Sequence, residues 1–226
     1  MRRTFEDPVM KGRPMSGKAT AYFLPAEGEV RELNVKRSRF RKLDPDFDAI
    51  SRSELLAQLK VNGEVAGSFR YYAYRFAPFI DADTLIECAD VHSAELYELA
   101  EVFCAAWPEP YEVTDFGDVL EISRVWMAPA FSNRGRFEQV TRYLVGLAEG
   151  WSVMVLKAFP LEFEGRDEEG RLDPLIRRRA AMMRHYQRIF GVQSLGGPAR
   201  HDGWMYRVSP RLIDLVPPPV GYPPNP

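Results

Sequence analysis

Cysteine is scarce: the 226 residues contain two, Cys88 and Cys104. That is too few for a disulfide framework, and their spacing matches no zinc site. Cys104 falls on the apolar side of a predicted helix and reads as a small buried hydrophobe. Histidine is equally thin. His92, His185 and His201 are scattered, without metal-ligand or catalytic-triad spacing. No apolar run reaches membrane-spanning length. Charge of one sign is missing too: the formal net charge is −2, so a sequence-independent grip on nucleic acid has no global electrostatic support. The local clusters Lys36-Arg37-Ser38-Arg39 and Arg177-Arg178-Arg179 read as solvated faces. Neither a P-loop nor a glycine-rich dinucleotide fingerprint is present, and no internal repeat is visible. The start, MRRTFEDPVMKGRP, places Glu6, Asp7 and Pro8 where a secretory signal would need an apolar core. These absences predict a cytoplasmic, reduced protein with no metal, no membrane partner and no nucleic-acid partner.

What is present is strand and helix periodicity of ordinary globular strength. Residues 1–18 are polar and punctuated by Gly and Pro, predicting a loose arm. Strands are predicted at Ala19 to Leu24 and Glu29 to Val35. Asp44-Pro45 marks a turn. Glu54 to Val61 and Val65 to Tyr74 flank Asn62-Gly63, a dipeptide suited to a type I′ hairpin turn. Tyr71, Tyr72 and Tyr74 fit a strand that is half exposed or lines a groove. Residues 79–92 read as a loop. Ser93 caps a predicted helix that carries Leu96, Leu99, Phe103 and Trp107 on one face and stops at Pro108.

The most informative stretch is DVLEISRVWMAPAFSNRGRFEQVTRYLVGLAEGWSVMVLKAFP, residues 118–160. An apolar strand, Val119 to Met127, leads into the turn Ser132-Asn133-Arg134-Gly135-Arg136. Phe137, Val140, Leu144 and Leu147 then recur at helical spacing, and a second apolar strand follows, Trp151 to Phe159. Two strands joined by one helix make a parallel βαβ unit. An arginine-bearing turn that opens onto a helix N-terminus suits a phosphate-bearing ligand. Farther on, Asp173 and Pro174 are predicted to open a helix as N-cap and first residue. It carries Ile176, Ala180, Met183, Tyr186 and Ile189 and is stopped by Gly191; His185 is expected to face solvent. Trp204 to Val208 is a last short strand. The proline-rich tail, residues 209–226, is expected to be extended or disordered from Pro217 on.

In order and spacing, residues 50–208 resemble the GNAT superfamily of N-acyltransferases. The pieces are Asn62-Gly63-Glu64-Val65-Ala66-Gly67, the strand-turn-helix at 119–149, and Tyr186-Gln187-Arg188-Ile189-Phe190-Gly191-Val192. The resemblance implies an α/β (α+β) fold over residues 19–208: a mixed, mostly antiparallel sheet with a central βαβ unit, splayed parallel strands and helices on both faces. It implies acetyl-CoA or another acyl-CoA as co-substrate and a small-molecule or peptide amine as acceptor, with a homodimer possible. Backbone groups at Val125 and Met127 would hold the pantetheine arm, and Asn133, Arg134, Gly135 and Arg136 the pyrophosphate. Glu121, eleven residues before Ser132, would deprotonate the amine. Tyr186 would protonate the leaving thiolate.

Three departures from the family pattern bear on these roles. Ser132 stands where the family has Gln or Arg. Phe137 stands where it has Gly or Ala, so its ring either crowds the phosphate turn or turns inward as the first core residue of the helix. Tyr186 lies five residues before Gly191 rather than four, a rotation of roughly 100°, and a core-facing tyrosine is the competing reading. For Glu121 the competing role is an ion pair with Arg124. Glu121-Ile122-Ser123-Arg124 is also similar to acyl-homoserine-lactone synthases, GNAT-like enzymes that take acyl chains from a carrier protein. In that branch Asp48 and Arg70 would be the upstream acid and arginine, and the acyl carrier protein a partner. A third possibility is an inactive domain that offers its proline-rich tail as an interaction ligand.

Overall fold

A computed structural model of the chain describes residues 9–10, 17–23, 31–44, 48–131, 135–160 and 172–220. In chain order the strands are β1 (Val9–Met10), β2 (Gly17–Phe23), β3 (Arg31–Arg37), β4 (Arg41–Lys42), β5 (Ile50–Val61), β6 (Glu64–Phe76), β7 (Asp118–Met127), β8 (Trp151–Lys157), β9 (Gln193–Ser194) and β10 (Trp204–Val208). The helices are α1 (Ala82–His92), α2 (Ala94–Ala106), α3 (Tyr111–Thr114), α4 (Arg136–Leu147), α5 (Leu172–Phe190) and α6 (Gly197–His201).

One mixed sheet organises the chain, in the order β1-β2-β3-β5-β6-β7-β8-β10-β9 with β4 added to β5. Its only parallel neighbours among the described strands are β7 and β8; helix α4 makes the crossover a parallel pair requires. The predicted hairpin forms between β5 and β6. Asn62 and Gly63 both adopt positive φ, 51° and 85°, as a type I′ turn demands.

Alternation along each strand sends side chains to two separate cores. Leu120, Ile122, Met154 and Leu156 pack towards Val140 and Leu144 of α4 and Ile189 and Phe190 of α5. Val119, Val153 and Val155 pack the other way, onto Leu85 of α1 and Leu96, Leu99 and Phe103 of α2. Helices therefore cover both faces. Cys104 is buried among the second group, and burial pushes its thiol up to about 12. No described helix is long and apolar enough to cross a membrane.

Four expectations are corrected. Residues 79–92 contain a helix, α1, because Asp81 accepts a hydrogen bond from Thr84 N at 2.7 Å and so caps it. Part of the supposed arm is strand: Val9 and Met10 pair with Tyr22 and Ala21, and Gly17 and Lys18 with Arg37 and Lys36. Helix α5 begins at Leu172, so Asp173 and Pro174 lie inside its first turn, where proline's missing N–H costs nothing. The tail is docked as far as Val220. Trp107 Nε1 donates to the Pro217 carbonyl at 2.8 Å, Val220 N donates to the Ala106 carbonyl at 2.8 Å, and Val216 is buried in the α1/α2 core. A segment with few backbone donors is held there by one carbonyl, one N–H and its apolar bulk.

Candidate active site

The antiparallel pairing of β6 with β7 slips by one residue after Arg70↔Arg124, the next pair being Tyr71↔Ile122. Ser123 is therefore an extra residue, a β-bulge. A bulge bends its strand and increases the local twist. The parallel pairing of β7 with β8 ends at the same place, at Ile122↔Leu156, although β7 stays paired to β6 as far as Met127. The two central strands part there.

The slip also changes which side chains face which core. Before it, the even residues Leu120 and Ile122 point towards α4 and α5; after it, the odd residues Val125 and Met127 do. Backbone direction follows the same count. Ala128 N donates to the Ala66 carbonyl on β6 at 2.9 Å. Backbone groups of neighbouring strand residues point to opposite edges. Those of Val125 and Met127 accordingly point to the β8 edge, where β8 has already diverged and supplies no ladder partner.

A cleft of about 540 Å³ occupies this opening. Its walls are residues 122–127 of β7, Leu156 and Lys157 of β8, Phe159 and Pro160, Phe137 of α4, and Arg178, Met182, His185 and Tyr186 of α5. Arg124, Lys157 and Arg178 are among the lining residues and no Asp or Glu is. Lys157 is held by Glu98 of α2, and the rest of the described lining is largely apolar.

Helix α4 opens beside this cleft. Gly135, at φ 70°, is its N-cap, and a Cβ built on it would meet no atom within 4 Å. The left-handed backbone is the reason for glycine here; close packing is not. Asn133 and Arg134 lie outside the described residues, as does the side chain of Arg136. Phe137 turns inward. Its ring stands 6.3 Å from Phe69, 6.3 Å from Phe190 and 5.3 Å from His185, centroid to centroid. The ring is a wall of the cleft and part of the α4/α5 core.

Tyr186 lines the cleft although α5 runs without interruption to Phe190. Burial pushes its hydroxyl up to about 12, so it holds its proton throughout the neutral range and can only donate it. His185, expected to face solvent, instead lines the same cleft. Arg188 Nη2 donates to His185 Nδ1 at 3.1 Å. A guanidinium has no acceptor, so Nδ1 carries no proton. Burial first, and the Arg188 charge second, hold this imidazole below its ordinary pKa.

Glu121 sits one residue before the strands part and faces the other core, on the α1/α2 side. Its register partners are Tyr72 and Val155. The Tyr74 hydroxyl donates to Glu121 Oε2 at 2.8 Å. Burial dominates its ionisation and raises the carboxyl to about 7; the Tyr74 bond and the charge of Arg52 oppose the rise. Glu121 and Tyr186 thus approach the gap from opposite faces of the sheet. Asp48 pairs with Lys42 at the surface, and Arg70 meets Glu54 at 3.4 Å. No group of three His, Cys, Asp or Glu able to hold a metal occurs among the described residues.

Sequence reasoning missed Arg52, the cleft position of His185 and the bulge at Ser123, and it placed Tyr74 on a half-exposed or groove-lining strand where the structure buries both Tyr71 and Tyr74. Only the bulge left a signal, the slip of apolar phase from Leu120 and Ile122 to Val125 and Met127. A scan against protein-family models finds no match to this chain, and a search of curated proteins finds none.

Proposed function

We propose that the chain is an N-acyltransferase of the GNAT type that moves an acyl group from acyl-CoA to an amine. One observation carries the reading: β7 and β8 separate at a bulge, next to a carboxyl of raised pKa, and the gap opens onto a helix N-terminus. A thioester laid in the gap would find the free backbone groups of Val125 and Met127 as partners for the two amides of the pantetheine arm. Its pyrophosphate would meet the amide end of α4 at Gly135. The amine nitrogen attacks the thioester carbonyl, Glu121 removes its proton, and the C–S bond breaks as Tyr186 protonates the departing sulfur. Much of the rate in such a site comes from alignment.

The chemistry suits the two ionisations. A carboxyl near 7 is a competent base at neutral pH, and a phenol near 12 remains protonated until a thiolate forms beside it. Acetyl-CoA should raise the melting temperature by mass action, and Gly135→Asp should remove most of that rise. Aspartate tolerates positive φ and caps helices well, so the variant keeps its fold while placing a negative charge where the phosphates would sit. No stabilisation of the wild type by acetyl-CoA or by a longer acyl-CoA would count against the proposal.

A second donor remains in play because α5 bears Arg177, Arg178, Arg179, Arg184 and Arg188 against a single acid, Asp173. That helix suits an acidic acyl carrier protein. Faster transfer from the carrier-bound acyl group than from the same chain on CoA would favour it.

A further inference from the structure

A second cavity, of about 780 Å³, lies at the other end of β8 from the cleft. Trp151 and Met154, from the start of that strand, line it, whereas Leu156 and Lys157, from its end, line the cleft. Its volume is usual for a small-molecule pocket. The floor is apolar: Met154, Ile189 and Phe190 are core residues that still border it.

The rim is basic. Arg142, Arg188, Arg207 and Arg211 border the cavity against one acid, Glu149. Arg142 is occupied by Glu138 at 2.6 Å. Arg207 Nη1 donates to the Phe190 carbonyl at 2.6 Å, which gives it a structural task at the C-terminal end of α5. None of Arg188, Arg207 and Arg211 meets a carboxylate among the described residues. Cations around an apolar floor, with no acid of their own, suit an anion that carries an apolar body.

Arg188 joins this cavity to the cleft. It lines the one, and its Nη2 donates at 3.1 Å to Nδ1 of His185, which lines the other. Burial, and then the Arg188 charge, hold His185 below its ordinary pKa, while Glu138 of α4 pulls the other way. An anion paired with Arg188 offsets that charge, whether the bond to His185 survives or breaks. The imidazole then takes up a proton more easily.

We propose that the second cavity binds a small organic anion, a carboxylate or phosphate on an apolar body, and that Arg188 relays its presence to His185 in the cleft. The anionic group takes charge-assisted hydrogen bonds from Arg188 and Arg211, and the body covers Trp151 and Phe190. Binding needs nothing from acyl transfer; only an effect on turnover rests on the function proposed above.

The test uses the full-length protein without thioester. Phenylacetate and phenyl phosphate are the probes, phenylacetamide the neutral control and inorganic phosphate the bare anion. Melting temperature against concentration reads binding. NMR follows the ring Cε1–H signals of the three histidines, with His185→Gln to assign one. At least one aromatic anion should bind about tenfold or more tighter than both controls, and the tighter of the two identifies the anionic group. Arg211→Glu should weaken it about tenfold or more; Gly135→Asp, which acts at the cleft, should not. Saturation should raise the His185 pKa by about half a unit or more, and Arg188→Met should abolish that rise. Three results each overturn the proposal: neither aromatic anion outbinds the controls, Gly135→Asp removes binding that Arg211→Glu spares, or His185 titrates unchanged at saturation. Acetyl-CoA enters none of these measurements, so acyl transfer and this site can fail separately.

Discussion

Glu121→Gln should lower kcat about 10²- to 10³-fold at pH 8, the range expected for loss of a general base. In the wild type kcat/KM should rise with pH through an apparent pKa near 7, the value to which burial raises this carboxyl. The variant should lose that limb. Stability should move the other way. A carboxyl raised above its ordinary 4.5 keeps its proton longer in the folded state than in the unfolded one. Its stabilising contribution is complete below pH 4.5 and is lost as pH rises through about 7, by linkage. Glutamine cannot ionise, and its carbonyl still accepts from Tyr74. The variant should therefore melt above wild type at pH 8, and the gain should vanish near pH 4. A variant that is slow and also less stable at pH 8 would mark Glu121 as structural.

Deleting Ser123 should abolish acyl-CoA binding altogether. Without the extra residue Arg124 would follow Ile122 directly, the pairs Tyr71↔Ile122 and Arg70↔Arg124 would become consecutive, and each side chain would keep its face. What is lost is the bend and added twist of the bulge, so β7 would run on alongside β8 and the gap that admits the thioester would close. Shortening a central strand also strains the connection that follows it, so binding should be compared with Ser123→Ala. That variant keeps the residue count and should bind acetyl-CoA within about threefold of wild type, a margin under about 0.7 kcal/mol. Normal binding by a folded deletion variant would show that the bulge does not shape the site.

Much of the sheet was legible because its strands are long and regularly patterned. Asn62-Gly63 announced its hairpin, and the strand–helix–strand period at 119–157 announced the parallel pair. Ser93 marked the start of α2. The failures have physical causes. In α1 only Leu85 and Ala89 are buried, so the apolar stripe was too narrow to outweigh its charged residues. Tail docking depends on Trp107, more than a hundred residues away in sequence, and no local pattern records such a contact. Helix face alone sends His185 to solvent, yet Phe137 reaches across from α4 and makes that face interior. For Tyr186 the sequence shows one residue of offset from the family pattern. The cleft is wide enough, and α5 close enough, that a tyrosine at that turn still lines it. Strand position and the family resemblance single out Glu121, but what raises its pKa, burial beneath α2 against the opposing Tyr74 bond, is a tertiary fact.

The most direct measurement is a crystal structure of the protein bound to acetyl-CoA. The thioester should lie between Ile122–Val125 and Leu156, with pantetheine amides paired to the backbone of Val125 and Met127 and diphosphate at the N–H end of the Gly135 helix. A nucleotide bound elsewhere, with Phe137, His185 and Tyr186 closed together across an unopened gap, would contradict the acyl-transfer account.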